Sequence, residues 1–354
     1  MANIIDYIAW RGDITFGMSP FCEVDNVIFS ALSAVDYGQV LQPCLLGTPK
    51  RLDAVYEELS AEPGFDTTDN THILLRDAAG SKRFSPVYMV YRKVVFSEEE
   101  TVQFGAVTFI LPDNSLYVAY RGTDSTLVGY REDFNMSFEE QIPSQALAVD
   151  YLKDVASVFK GKIRVGGHSK GGHLAEYAPA FSSPAVQDRI TEIYNNDGPG
   201  FISETLGAGN FAAISPKLRV IVPQSSLVGM LLEHSAGYTV IESSERGGLP
   251  QHDMFTWKVT GPSLIHLKEL SSTGKRHEDV MKKWLSSVDQ EEREKFVNSM
   301  FGIFESTGAK SLSDLSKDTF NSLLTAVRTY GTLDQDSKDN IISSLKRFAE
   351  AFIR

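Results

Sequence analysis

Cysteine is scarce in this chain: Cys22 and Cys44 are the two among 354 residues. So sparse a pair makes no disulfide scaffold and fits a reducing compartment. Basic charge is short as well. The 34 Lys and Arg stand against 46 Asp and Glu, a formal net charge of −12. Nucleic-acid surfaces and docking sites for anionic lipid both need basic patches, so neither kind of partner is expected. No apolar run reaches the ~20 residues that span a bilayer. The opening stretch Met1–Asp13 is interrupted by Asp6 and Arg11 and lacks a basic start and a small-residue cleavage site. It does not read as a secretory signal, and a cytoplasmic location is expected. What is present is ordinary for a globular protein, 42% hydrophobic and 23% charged. The length suits one large α/β domain, or a domain with an appended helical piece.

The stretch that organises the chain is Ile163 to Tyr177. β-branched Ile163 and Val165 lead into Gly166-Gly167-His168-Ser169-Lys170-Gly171-Gly172, and Leu174, Ala175 and Ala178 follow at helical spacing. Gly167-His168-Ser169-Lys170-Gly171 is a G-x-S-x-G pattern in strand–turn–helix context, the setting of a nucleophile elbow. A turn this tight leaves no room for side chains at the flanking positions. It lifts the serine hydroxyl to the top of a sheet. The helix start behind it offers unpaired amides, the first being that of Lys170, to a developing oxyanion.

Around the elbow, residues 1–20 begin with a helix candidate followed by a turn around Gly12-Asp13, and further helix candidates run through Phe21–Tyr37, Lys50–Leu59, Thr71–Ala78 and Ser144–Phe159. A strand is expected over Phe84–Val95, where Val87, Met89 and Tyr91 alternate. Gln103–Leu111 and Ser115–Tyr120 read as a hairpin across Pro112-Asp113-Asn114. Tyr130–Phe138 is a polar segment rich in acids and aromatics. After the elbow, strands are expected at Arg189–Tyr194, Lys217–Val222, Tyr238–Glu242 and Met254–Val259. Strands alternating with helices argue for a mostly parallel sheet flanked by helices. From Pro262 the texture becomes helical, with breaks at Ser271–Gly274, Val288-Asp289, Gly308 and Gly331–Asp334. The expected organisation is a core over 1–261, with N-terminal helical segments, and a helical appendage over 262–354 that serves as cap or interaction module.

A serine nucleophile needs a base, and histidine suits neutral pH. His252, in a loop late in the sheet, is the expected base, with His234 as the alternative. His173 lies along the elbow helix, and His266 and His277 read as solvated surface. The acid should follow the nucleophile, at a strand tip before the base. Asp197 meets that requirement. Glu233 sits in an apolar helix-like run, and Asp253 is too near His252 in sequence to orient it. Gly122-Thr123-Asp124 follows an early strand, so the Thr123 amide is placed as a second oxyanion donor, with its hydroxyl available for another bond. Asp124 and Asp133 are weak metal-ligand candidates without a histidine partner. Neither metal nor cofactor is expected.

Tyr120-Arg121-Gly122-Thr123 resembles the aromatic-Arg-Gly-Thr segment of class 3 (fungal-type) lipases, and Gly167–Gly172 resembles their G-H-S-L-G-G elbow, with Lys170 in place of Leu. Tyr194–Phe201 and Gln251-His252-Asp253 look like a largely uncharacterised bacterial lipase-like family beside them. The resemblance implies an α/β-hydrolase fold over about residues 20–260. It also implies an oxyanion role at Thr123 and cleavage of a small acyl ester or lipid. One position departs. Where those lipases carry an Asp before Ile or Leu, Val and Pro, this chain reads Ser226-Leu227-Val228-Gly229. Either Asp197 replaces that acid from the neighbouring strand tip, or Ser169 and His252 act as a dyad, or activity is weakened and the fold serves binding or scaffolding. Leu227, Val228, Met230, Leu231 and Leu232 are core or acyl-site candidates. Val128-Gly129-Tyr130 or the tail could supply a lid.

Overall fold

The computed structural model describes residues 2–306, 309–311 and 314. Among them the chain builds a nine-stranded sheet. Its strands are β1 (Lys50–Arg51), β2 (Tyr88–Ser97), β3 (Val102–Ile110), β4 (Leu116–Tyr120), β5 (Ile163–His168), β6 (Ile190–Asn196), β7 (Leu218–Pro223) and β8 (Tyr238–Ile241), with an edge strand beyond β8. They lie side by side in chain order. β2, β3 and β4 pair antiparallel, and β4 through β8 pair parallel.

The hairpin of β3 and β4 forms as its turn residues dictate. Asn114 takes the left-handed conformation at φ 60°, and the Asp113 carboxylate accepts from the Ser115 amide at 2.9 Å. In β4 the period of two separates the faces. Leu116, Val118 and Tyr120 pack with Ile163 and Val165 against the helices Pro143–Val158 and Lys170–Ala180, through Tyr151, Leu152, Val155, Leu174 and Ala178. Tyr117 and Ala119 face the other way, onto the helices Ile4–Arg11 and Glu23–Leu32, where Val24, Ile28 and Phe29 are buried. Each such Val, Leu, Ile or Phe stabilises the fold by roughly 1.5–3 kcal/mol. Helices therefore cover both faces, and the parallel run from β4 to β8 places the loops after β4, β5, β6 and β7 together at one end of the sheet. β2 departs from simple alternation. Tyr91 has φ 48° and the register shifts between Val90 and Lys93, which turns Tyr91 onto Tyr151 with ring centroids 4.6 Å apart.

The end of the sheet differs from the sequence expectation. Met254–Val259 is not one strand. Asp253 Oδ1 accepts from the Phe255 amide at 3.0 Å and the Trp257 indole donates to the Gln251 carbonyl at 2.8 Å, which hold Met254–Thr256 in a 3₁₀ turn. β9 (Val259–Thr260) then pairs with β10 (Ser263–Leu264) as a separate hairpin, and β11 (His266–Leu267) closes the main sheet antiparallel to β8. Two strands thus lie past Pro262, in the stretch expected to be helical. The acid-rich Tyr130–Phe138 segment is largely helix, over Leu127–Asn135. Beyond the sheet run the helices Ser272–Ser287 and Gln290–Ser306, parted at Val288-Asp289. The breaks expected at Gly308 and Gly331–Asp334, and the tail helices around them, lie outside the described residues.

Candidate active site

β5 ends in a turn with little freedom. Ser169 sits at φ 58° and ψ −130°, a strained conformation for a side-chain-bearing residue. A Cβ on Gly167 would run into the Gly171 backbone, and one on Gly171 into the Tyr120 carbonyl. Both glycines are therefore required by close approach, and the turn holds Ser169 half-buried at the head of the helix Lys170–Ala180.

The loop after β4 abuts this turn, since a Cβ on Gly122 would lie 3.4 Å from the Ser169 Cβ. Next to it, the Thr123 amide has no hydrogen-bond acceptor among the described residues, and the same holds for the Lys170 amide at the helix start. The Thr123 hydroxyl is not available as expected. It donates to Asp133 Oδ2 at 2.6 Å. Asp133 lies on the helix Leu127–Asn135, and desolvation raises its pKa from 3.8 to about 6 against the pull of Lys170. Among the described residues, no group of three or more His, Cys, Asp or Glu could hold a metal ion.

At the tip of β6, Asp197 adopts φ 53° and is fully buried, its amide donating to the Ile221 carbonyl at 2.8 Å. Its two oxygens have separate partners. Oδ2 lies 2.7 Å from His252 Nδ1, and Oδ1 accepts from the Ser226 hydroxyl at 2.5 Å. Ser226, which stands where the lipase resemblance puts an acid, thus supports the acid from the neighbouring strand. It is itself fixed by the Gly229 amide at 3.0 Å. Asp197 and His252 are 55 residues apart, and the loops after β6 and β8 bring them together. The His252 carbonyl also accepts from His168 Nε2 at 2.7 Å, and the two rings lie 4.3 Å apart. This contact anchors the base loop directly to the elbow. Desolvation holds the His168 pKa well below its ordinary value. With Nδ1 engaged by Asp197, the His252 Nε2 is the nitrogen left for Ser169. No hydrogen bond joins Ser169 Oγ to that nitrogen among the described residues.

The remaining histidines are engaged elsewhere. His234 Nε2 meets the Gly229 carbonyl at 2.6 Å. His173 is buried between Gln145 and the Gly200 carbonyl, and burial lowers its pKa to about 4. His266, on β11, pairs with Glu23 at the start of the helix Glu23–Leu32. His277 corrects the surface reading. It is buried, with Nδ1 3.2 Å from both the Ser225 and Ser226 carbonyls, because the helix Ser272–Ser287 packs over the loop that supports Asp197. Met230 belongs to the core with Val220, Val222 and Val240, whereas Leu227, Val228, Leu231 and Leu232 are half-buried. Sequence reading missed the side chains below the oxyanion loop. Gln103, Glu132 and Lys170 form a fully buried polar cluster there. The signals were a lysine inside the elbow and an acid pair in an aromatic segment.

The sheet order and the strand–elbow–helix passage are those of an α/β-hydrolase fold. A family model described as Mbeg1-like matches residues 78–302. No curated protein matches the chain. Among solved structures it is similar to a mutant of MDLA from Penicillium cyclopium, at 14% identity over 70% of this chain and 87% of that one, with a TM-score of 0.38. Lipase II from Rhizopus niveus aligns at 14% identity over 62% and 80%, TM-score 0.39. Lip2 lipase from Yarrowia lipolytica aligns at 12% identity over 62% and 78%, TM-score 0.38.

Proposed function

This chain belongs to the Mbeg1-like family, and we propose that it is a serine hydrolase that cleaves a carboxylic ester through an acyl-enzyme. The observation that carries the reading is the 2.7 Å contact between His252 Nδ1 and the buried Asp197 carboxylate, on the loop that leans against the elbow. Asp197 fixes the tautomer with the proton on Nδ1, so Nε2 acts as base. Ser169 Oγ attacks the ester carbonyl as its proton passes to Nε2. The oxyanion is held by the Thr123 and Lys170 amides. Collapse breaks the ester bond, and His252 returns the proton to the leaving alcohol. A water activated by the same Nε2 then attacks the acyl carbonyl and frees Ser169.

Half-buried Leu227, Val228, Leu231 and Leu232 follow Ser226 in the loop after β7 and suit an apolar acyl chain, which supports a lipid or small acyl ester as substrate. Cys22 and Cys44 are unpaired, which supports a cytoplasmic location. Among the described residues no helix is long and apolar enough to cross a membrane. The rival reading, a fold kept for binding, took its motive from Ser226 at the expected acid position. The bonds of Asp197 to both Ser226 and His252 support the catalytic reading over it.

A fluorophosphonate probe tests the reading. Wild type is expected to be labelled and Ser169→Ala not. A folded wild type that stays unlabelled overturns it.

A further inference from the structure

The Lys170 side chain is used in an unusual way. It leaves the first turn of the elbow helix and is completely buried, where a cation costs several kcal/mol to desolvate. Its ammonium spends three hydrogen bonds inside the protein: to the Gln103 carbonyl at 2.7 Å, to Gln103 Oε1 at 2.9 Å and to Glu132 Oε2 at 2.8 Å. Glu132 is equally buried and also accepts from the Gln103 amide at 3.0 Å and the Ser144 amide at 2.9 Å. The next residue, Asp133, takes the Thr123 hydroxyl on Oδ2, and its Oδ1 has no hydrogen-bond partner but lies 3.8 Å from the ammonium. Consecutive carboxylates of one helix thus grip Thr123 and Lys170, the two residues whose amides the hydrolase reading assigns to the oxyanion. A buried ion pair adds little stability over apolar side chains of like size, so fixing geometry is the stronger account of its presence.

We propose that Lys170 is a positioning residue whose side chain, tied to Glu132, holds the helix Leu127–Asn135 against the elbow and so sets the Thr123 and Lys170 amides as one oxyanion hole. This rests on the serine-hydrolase reading above. The groups around Asp133 are Glu132 and Tyr130 on its own helix, Thr123 and Asp124 on the loop after β4, Lys170 on the elbow helix and His252 across the site. Lys170 favours the Asp133 carboxylate, the form that accepts the Thr123 hydroxyl. Without the ammonium, that carboxylate takes up a proton at higher pH.

The test is the rate of fluorophosphonate labelling of the full chain from about pH 5 to 9, for wild type, K170M, K170R and the charge-free pair K170M/E132Q. K170M is expected to be labelled about 10²-fold more slowly, with the acid limb of its profile moved to higher pH. K170R is expected to recover part of the rate and the wild-type limb. K170M/E132Q removes both charges of the Lys170–Glu132 pair, serves as the folded variant should K170M alone unfold, and is also expected to be slow. K170M or the pair labelled at the wild-type rate with an unmoved limb overturns the proposal. An unlabelled wild type overturns the hydrolase reading and this one with it, whereas a labelled wild type beside an indifferent K170M overturns the positioning role alone.

Discussion

The two halves of the site are built by different means. The elbow is a backbone construction. Its geometry follows from a strand, two glycines with no room for a Cβ, and a helix start, all within a few adjacent residues. The acid–base pair is a side-chain construction. Asp197, Ser226 and His252 come from three loops, and nothing local in sequence relates them. The proposed oxyanion side lies between these extremes, since the side chains of Thr123 and Lys170 are tied to the Asp133 and Glu132 carboxylates on the helix Leu127–Asn135. Backbone constructions fail when space is taken away. Side-chain constructions fail when one hydrogen bond is.

Substitutions can break that contrast or sharpen it. Asp197→Asn reverses the donor pattern at His252 Nδ1 and is expected to slow ester hydrolysis by about 10⁴-fold, with the melting curve little changed. Turnover equal to wild type would remove Asp197 from the mechanism. Gly171→Ala should act the opposite way. Its methyl meets the Tyr120 carbonyl, so unfolding stability should drop by about 4 kcal/mol, measured by denaturant titration. A drop under about 1 kcal/mol would show that the turn can relax.

Asp133 gives a pH signature. Its pKa is raised from 3.8 to about 6 by desolvation, so between those values the folded state binds more protons than the unfolded one. Stability should therefore fall as pH rises through that window, and Asp133→Asn should flatten the fall by up to about 3 kcal/mol, at roughly 1.4 kcal/mol per pKa unit. Parallel stability curves for the two proteins would contradict the raised pKa of Asp133. Ser226→Ala removes a single charge-assisted bond to an acid that keeps its His252 contact, so the smallest effect is expected there, about tenfold in turnover at a cost near 1.5 kcal/mol. A loss as large as that of Asp197→Asn would mean that Ser226 has a larger part than support.

How much of this was legible in the sequence follows the same divide. The elbow, the β3–β4 hairpin and the flanking helices were readable because their determinants are local: glycine spacing, turn residues and apolar periodicity. The strand expected over Met254–Val259 failed because Asp253 and Trp257 spend their hydrogen bonds on turns, which periodicity does not register. The meeting of Asp197 with His252 was reachable only by asking which strand tips share one end of a parallel sheet. The role of Ser226 as a support, and the burial of His277 against its carbonyl, needed the three-dimensional packing of loops distant in sequence. The Lys170–Glu132 pair left only a faint mark, a lysine where the resembled elbow carries leucine.

The central claim is that Ser169 carries the acyl group. Its most direct measurement is peptide mass spectrometry of the protein quenched during turnover of a p-nitrophenyl ester. The account predicts an acyl adduct on the peptide holding Ser169, absent in Ser169→Ala and slow to form in Asp197→Asn. Hydrolysis that proceeds with no adduct on Ser169, or with the same adduct in Ser169→Ala, would contradict it.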